Sequence, residues 1–120
     1  MRKTLTTVLL GALVAMLVTT VGGAAPSGSP VRVGSTLGLT GPLAPTALIH
    51  KIAGEIYVES LNKRGGLLGR PVEWLVLDDQ SKPDVARTLY ERLITVDKVD
   101  LIMGPYATNN ILAAMAVAHG

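Results

Sequence analysis

The chain has 120 residues, of which 48% are hydrophobic, and it contains no cysteine. Eleven basic against nine acidic residues give a formal net charge of +2. Arg2 and Lys3 sit in a leader, however, and without them the charges balance, so no basic excess points to nucleic acid or an anionic membrane. With no disulfide available in an exported chain, packing alone must hold the fold.

Arg2 and Lys3, the apolar stretch from Leu5 to Val21, and Gly22-Gly23-Ala24-Ala25 form the three parts of an export signal. The unbroken apolar core, Val8 to Val18, is shorter than the about 20 residues a membrane span requires. Residues 1–25 are therefore read as a signal peptide cleaved near Ala24 or Ala25, with an uncleaved N-terminal anchor as the alternative. Cleavage places the mature protein in the periplasm or outside the cell. The absence of a cysteine near the cleavage site excludes a lipid-anchored lipoprotein. Pro26-Ser27-Gly28-Ser29-Pro30 reads as a flexible mature N-terminus.

Val31 to Leu39 is β-rich and partly alternating, a first strand broken off at Thr40-Gly41-Pro42-Leu43. From about Thr46 the period becomes helical. Ile49, Ile52, Ala53 and Ile56 share one stripe, with Lys51, Glu55 and Glu59 on other faces. Gly65-Gly66 stops this helix, with Lys63 and Arg64 in its last turn. Val72 to Leu77 forms a second strand that ends at Asp78-Asp79-Gln80. Ser81-Lys82-Pro83-Asp84 then reads as a helix start with Ser81 as cap, and Val85, Leu89, Leu93 and Val96 form the stripe of that helix. Leu101-Ile102-Met103 is a short third strand closed by Gly104-Pro105. A third helix begins at Thr108 and runs through Ile111, Ala114, Met115 and Ala118.

The order β-α-β-α-β-α implies an α/β unit with a parallel sheet. In open sheets of this kind ligands bind outside the carboxyl ends of the strands. That rule selects three loops: Thr40 to Thr46, Asp78 to Ser81, and Tyr106 to Asn110.

Neither histidine falls in those loops. His50 lies within the first helix as a surface residue and His119 lies at the extreme end, so no nucleophile–base arrangement is built. Asp78 and Asp79 are the candidates for acid–base or metal chemistry. Their side chains leave the strand end in opposite directions, and the competing reading makes them structural. No His or Cys accompanies them as metal ligands. Gly34, Gly38 and Gly41 do not fit the dinucleotide fingerprint G-x-G-x-x-G, and the acids lie too far downstream for it. The third loop sets small and hydroxyl side chains at a helix N-terminus, where free N–H groups and the dipole favour a carboxylate. Thr108 there caps the helix, binds an anion, or does both.

Four segments carry a family resemblance: Leu39-Thr40-Gly41-Pro42-Leu43-Ala44, Leu61 to Glu73 with its core Asn62-Lys63-Arg64-Gly65-Gly66, Leu77-Asp78-Asp79-Gln80-Ser81, and Met103-Gly104-Pro105-Tyr106. In this order they resemble the first part of the branched-chain amino-acid type of solute-binding proteins, the extracytoplasmic receptors of ATP-driven importers. The resemblance implies the doubly wound type I periplasmic-binding fold. Residues 31–120 would form part of its N-terminal lobe, a three-layer unit preceded by the signal helix. It also implies a protein that closes on a small-molecule solute, an amino acid or organic acid, and delivers it to a membrane permease, with no cofactor and no nucleic-acid partner.

By the same resemblance Thr108 takes the place of a hydroxyl residue that grips the ligand carboxylate, with Ala107 and Tyr106 beside it. Thr46 takes a first-loop pocket position, and Asp78-Asp79 matches a structural acidic pair. Many members carry paired serines where this chain has Ala107-Thr108. Two rival readings stand beside the receptor: the ligand-binding domain of a membrane sensor, and an exported α/β enzyme using Asp78 or Asp79.

Overall fold

A computed structural model describes residues 23–119; the predicted signal peptide, apart from its last three residues, lies outside them. The elements in chain order are β1 (Val31–Leu37), α1 (Ala44–Lys63), β2 (Val72–Asp78), α2 (Pro83–Thr95), β3 (Leu101–Ile102) and α3 (Thr108–Ala118). The strands form one parallel sheet in the order β2-β1-β3. β1 and β2 pair along their whole length, from Val31 opposite Val72 to Leu37 opposite Asp78. The pairing of β3 is brief, Leu101 opposite Val33 and Ile102 opposite Gly34.

Alternation along β1 sorts its side chains into two layers. Val33, Ser35 and Leu37 face α1 with Trp74, whose indole N–H donates to Ser35 Oγ at 2.8 Å. Gly34 and Thr36 face α2, where Tyr90, Leu93 and Ala114 form the buried core with Leu75, Leu77, Val99 and Val117 packed around it. The result is the expected three-layer α/β unit: α1 on one face of the sheet, α2 and α3 on the other.

The stripe Ile49, Ile52 and Ile56 is not the face that α1 turns to the sheet. Ile49 is 67% exposed and Ile56 62%, while Ala47 is fully buried and Gly54 lies on the indole of Trp74. Bringing the helix axis close to a strand that carries a tryptophan requires small residues at the contact, and Ala47 and Gly54 supply them. In α2 the buried residues are Ala86, Tyr90 and Leu93, and Val96 lies outside the helix with 71% exposure. In α3 the buried residues are Asn110 and Ala114, whereas Ile111 and Met115 are exposed.

Residues 26–30 carry hydrogen bonds to the turn after α1: Ser27 N–H donates to Gly69 O at 2.9 Å, and the Arg70 guanidinium donates to the carbonyls of Ser29 and Pro30 at 2.8 and 3.1 Å. Among the described residues no helix is long and apolar enough to cross a membrane.

A Cβ built at Gly54 would stand 2.1 Å from Cζ3 of Trp74. Helix propensity alone makes Gly→Ala favourable by about 1 kcal/mol, yet Gly54→Ala is expected to destabilise the protein by about 1–3 kcal/mol through overpacking. Thermal melts check this, and a rise in Tm would show that α1 sits further from the sheet.

Candidate functional site

The first two strand-end loops are laced into one unit. The Asp78 carboxylate accepts from Thr40 N at 3.2 Å, from Thr40 Oγ1 at 2.8 Å and from Gln80 N at 2.8 Å. Ser81 Oγ donates to Thr40 O at 2.7 Å and accepts from Leu43 N at 3.1 Å. Ser81 was the expected cap of α2; the structure gives the cap position to Lys82, with no side-chain bond, and spends the serine hydroxyl on the start of α1 instead. Gly41 adopts φ +84°, and a Cβ there would lie 2.9 Å from Gln80 O, so the close approach of the two loops requires glycine.

Asp79 points the other way, into the α2 layer, and is 0% exposed. Its Oδ2 accepts from Thr36 Oγ1 at 2.7 Å and its Oδ1 from Ser81 N at 2.9 Å. The acidic pair therefore splits to opposite sides, and both carboxylates are engaged within the loops. This is the geometry of the structural reading.

The third loop is built differently. Met103 N donates to Gly34 O at 2.9 Å as the last tie of β3. Tyr90, 1% exposed, places its hydroxyl beneath that residue, donating to Met103 O and accepting from Thr36 N at 3.4 Å. Burial pushes the Tyr90 phenol above its ordinary pKa, opposed by the Thr36 hydrogen bonds and aided by the charge of Asp79. Ala107 then adopts φ 81°, ψ 136°, a conformation L-residues rarely take. It occupies the cap position of α3 and has no side chain with which to cap, so Thr108, the first helical residue, is not the cap. The first helical bond runs from Ile111 N to Ala107 O at 3.0 Å. The N–H groups of Thr108, Asn109 and Asn110 precede it and have no intrahelical acceptor.

Tyr106, Ala107 and Thr108 are thus contiguous at one helix N-terminus. Thr46 lies on α1, half-buried, in the first turn of that helix. Its neighbour one turn on, His50, brings its ring to 5.0 Å from that of Tyr106. The two rings line a cavity of about 270 Å³ with Leu37, Trp74 and Pro105. His50 is an exposed residue of the first helix, as the sequence reading has it, and its ring also lines this cavity. Asn110 closes the third loop selected from the sequence, whereas Tyr90 was not singled out there. The buried Asn110 Nδ2 has no partner among the described residues.

Partial burial works to raise the Asp78 pKa, but hydrogen bonds from Gln80, Thr40 and Leu39 outweigh it and hold the carboxyl below its ordinary value. A depressed folded-state value stabilises fully above the unfolded value of about 3.9 and is lost as pH falls through the folded value. In melts taken from about pH 6 down to about pH 2, the Asp78→Asn protein should start lower than the parent and lose less. Parallel curves would contradict this.

A family profile described as periplasmic binding protein matches residues 30–120. The Leu/Ile/Val-binding protein homolog 7 of Brucella abortus is 33% identical over 97 residues, covering 81% of this chain and 24% of its own length. The chemotactic signal transduction system substrate-binding protein BasB of Halobacterium salinarum is 38% identical over 81 residues, 66% of this chain and 20% of that one. Among solved structures, the branched-chain amino acid transporter substrate-binding protein LivJ of Streptococcus pneumoniae, in complex with isoleucine, superposes with a TM-score of 0.73 at 25% identity, covering 76% of this chain and 26% of that one. The chain spans about a quarter of the length of these relatives. The fold, the order of the four motifs and these matches agree: the chain belongs to the periplasmic binding protein family.

Proposed function

We propose that this chain is the solute-contacting part of an exported receptor for an ATP-driven importer, and that it holds a small carboxylate-bearing solute, a branched-chain or other amino acid, for transfer to a membrane permease. The single observation that carries the proposal is the uncapped start of α3 at a strand carboxyl end. An 11-residue helix begins there with Thr108 and without a side-chain cap, so the N–H groups of Thr108, Asn109 and Asn110 lack intrahelical acceptors at its positive end. In this reading Ala107 and Tyr106 flank that point in the chain, and Thr46, in the first turn of α1, is a further pocket residue. The relatives named for leucine, isoleucine and valine, and the one holding isoleucine, support this solute class. Export, with the leader cut near Ala24 or Ala25, brings the receptor to its solute.

A second reading draws on the printed role of BasB in chemotactic signal transduction: the same binding unit reporting to a membrane sensor instead of a permease. The two share the solute site and differ in the partner, so co-purification with a permease or with a transducer separates them.

A hydrogen bond to a charged group contributes about 1.5–3 kcal/mol. Thr108→Ala should therefore weaken isoleucine binding roughly ten- to a hundred-fold in calorimetry on the protein as its gene encodes it. Equal affinity of parent and variant would remove Thr108 from the site. No heat with any amino acid or organic acid would refute the solute class.

A further inference from the structure

The loop that opens α3 has few ties of its own. β3 pairs over two residues, and a Cβ at Gly104 would meet nothing within 4 Å. Ala107 nevertheless holds a strained backbone conformation, and such strain persists only where the surroundings over-determine it. Among the described residues, one side-chain hydrogen bond reaches this stretch: the Tyr90 hydroxyl to Met103 O.

We infer that Tyr90 is the positioning residue of the α3 binding end, setting the path of Met103 to Ala107 so that the free N–H groups of α3 face the solute. Its hydroxyl bridges β1, through Thr36 N, and the exit of β3, through Met103 O. The ring is fixed from below by packing with Leu93 and Ala114. The peptide of Met103 is thereby held at both ends, its N–H by Gly34 O and the carbonyl of the residue by Tyr90. From there the chain needs only Gly104, Pro105 and Tyr106 to reach Ala107. The fixed φ of Pro105 passes the constraint along. The role of the solute in this inference rests on the proposed function; the positioning itself does not.

Tyr90→Phe deletes the hydroxyl and keeps the ring. Val31→Ala is the comparison, because it opens a cavity at the amino end of β1, away from Tyr90 and its bond. In the unliganded protein, Tyr90→Phe should shift or broaden the amide resonances of Gly104, Tyr106, Ala107 and Thr108, and Val31→Ala should leave those four in place. Calorimetry with isoleucine should show about ten-fold weaker binding for Tyr90→Phe, and less than a two-fold change for Val31→Ala below its melting point. Unmoved resonances at those four amides overturn the inference, as does an affinity loss no larger than that of Val31→Ala. If the parent binds no isoleucine, the proposed function fails while the resonances still decide the role of Tyr90.

Discussion

The three strand ends are joined by one buried polar node, and the loops that follow them depend on it. Asp79 accepts from Thr36 Oγ1 and from Ser81 N, Thr36 N donates to Tyr90 Oη, and Tyr90 donates to Met103 O. β1, β2 and β3 are thereby tied at the end where their loops leave the sheet. A carboxylate at 0% exposure is tolerated only while its hydrogen bonds are intact. Losing one partner would leave charge stranded in the core, so the node locks the relative height of the strands as well as the loops above them.

A second, outer layer of bonds stands on this node. Asp78 and Ser81 fasten the loop after β2 to the loop before α1, with glycine at position 41 where the backbones nearly touch. Two of the three loops therefore form a stiff shoulder, and the third rises beside it with its helix end unblocked. Under the proposed function such pre-organisation favours binding, since a loop already ordered loses less entropy when a solute arrives.

Much of this was legible in the sequence because it is written in local chemistry. Glycines and prolines punctuated the elements near their observed bounds, and the β-α-β-α-β-α order fixed a parallel sheet. The splitting of Asp78 from Asp79 followed from strand alternation alone. What was not legible depends on pairs far apart in the chain. Gly54 turns inward because Trp74 lies opposite it, which sends the more hydrophobic Ile49, Ile52 and Ile56 outward against the simple period rule. Ser81 abandons the cap of its own helix because Thr40 and Leu43 arrive from 38 or more residues away. Tyr90 carries no local signal of its role, because its hydroxyl meets Met103 only through the fold. Thr108 is the converse case: its place at the helix start was readable, but the cap fell one residue earlier.

The central claim is that a solute carboxylate sits on the N-terminus of α3. It is tested most directly by following backbone amide resonances while isoleucine is added to the protein as its gene encodes it. The account predicts that the largest downfield shifts occur at Thr108, Asn109 and Asn110, as their N–H groups gain a charged acceptor. Saturable binding that leaves those three amides unmoved and shifts residues elsewhere would contradict it.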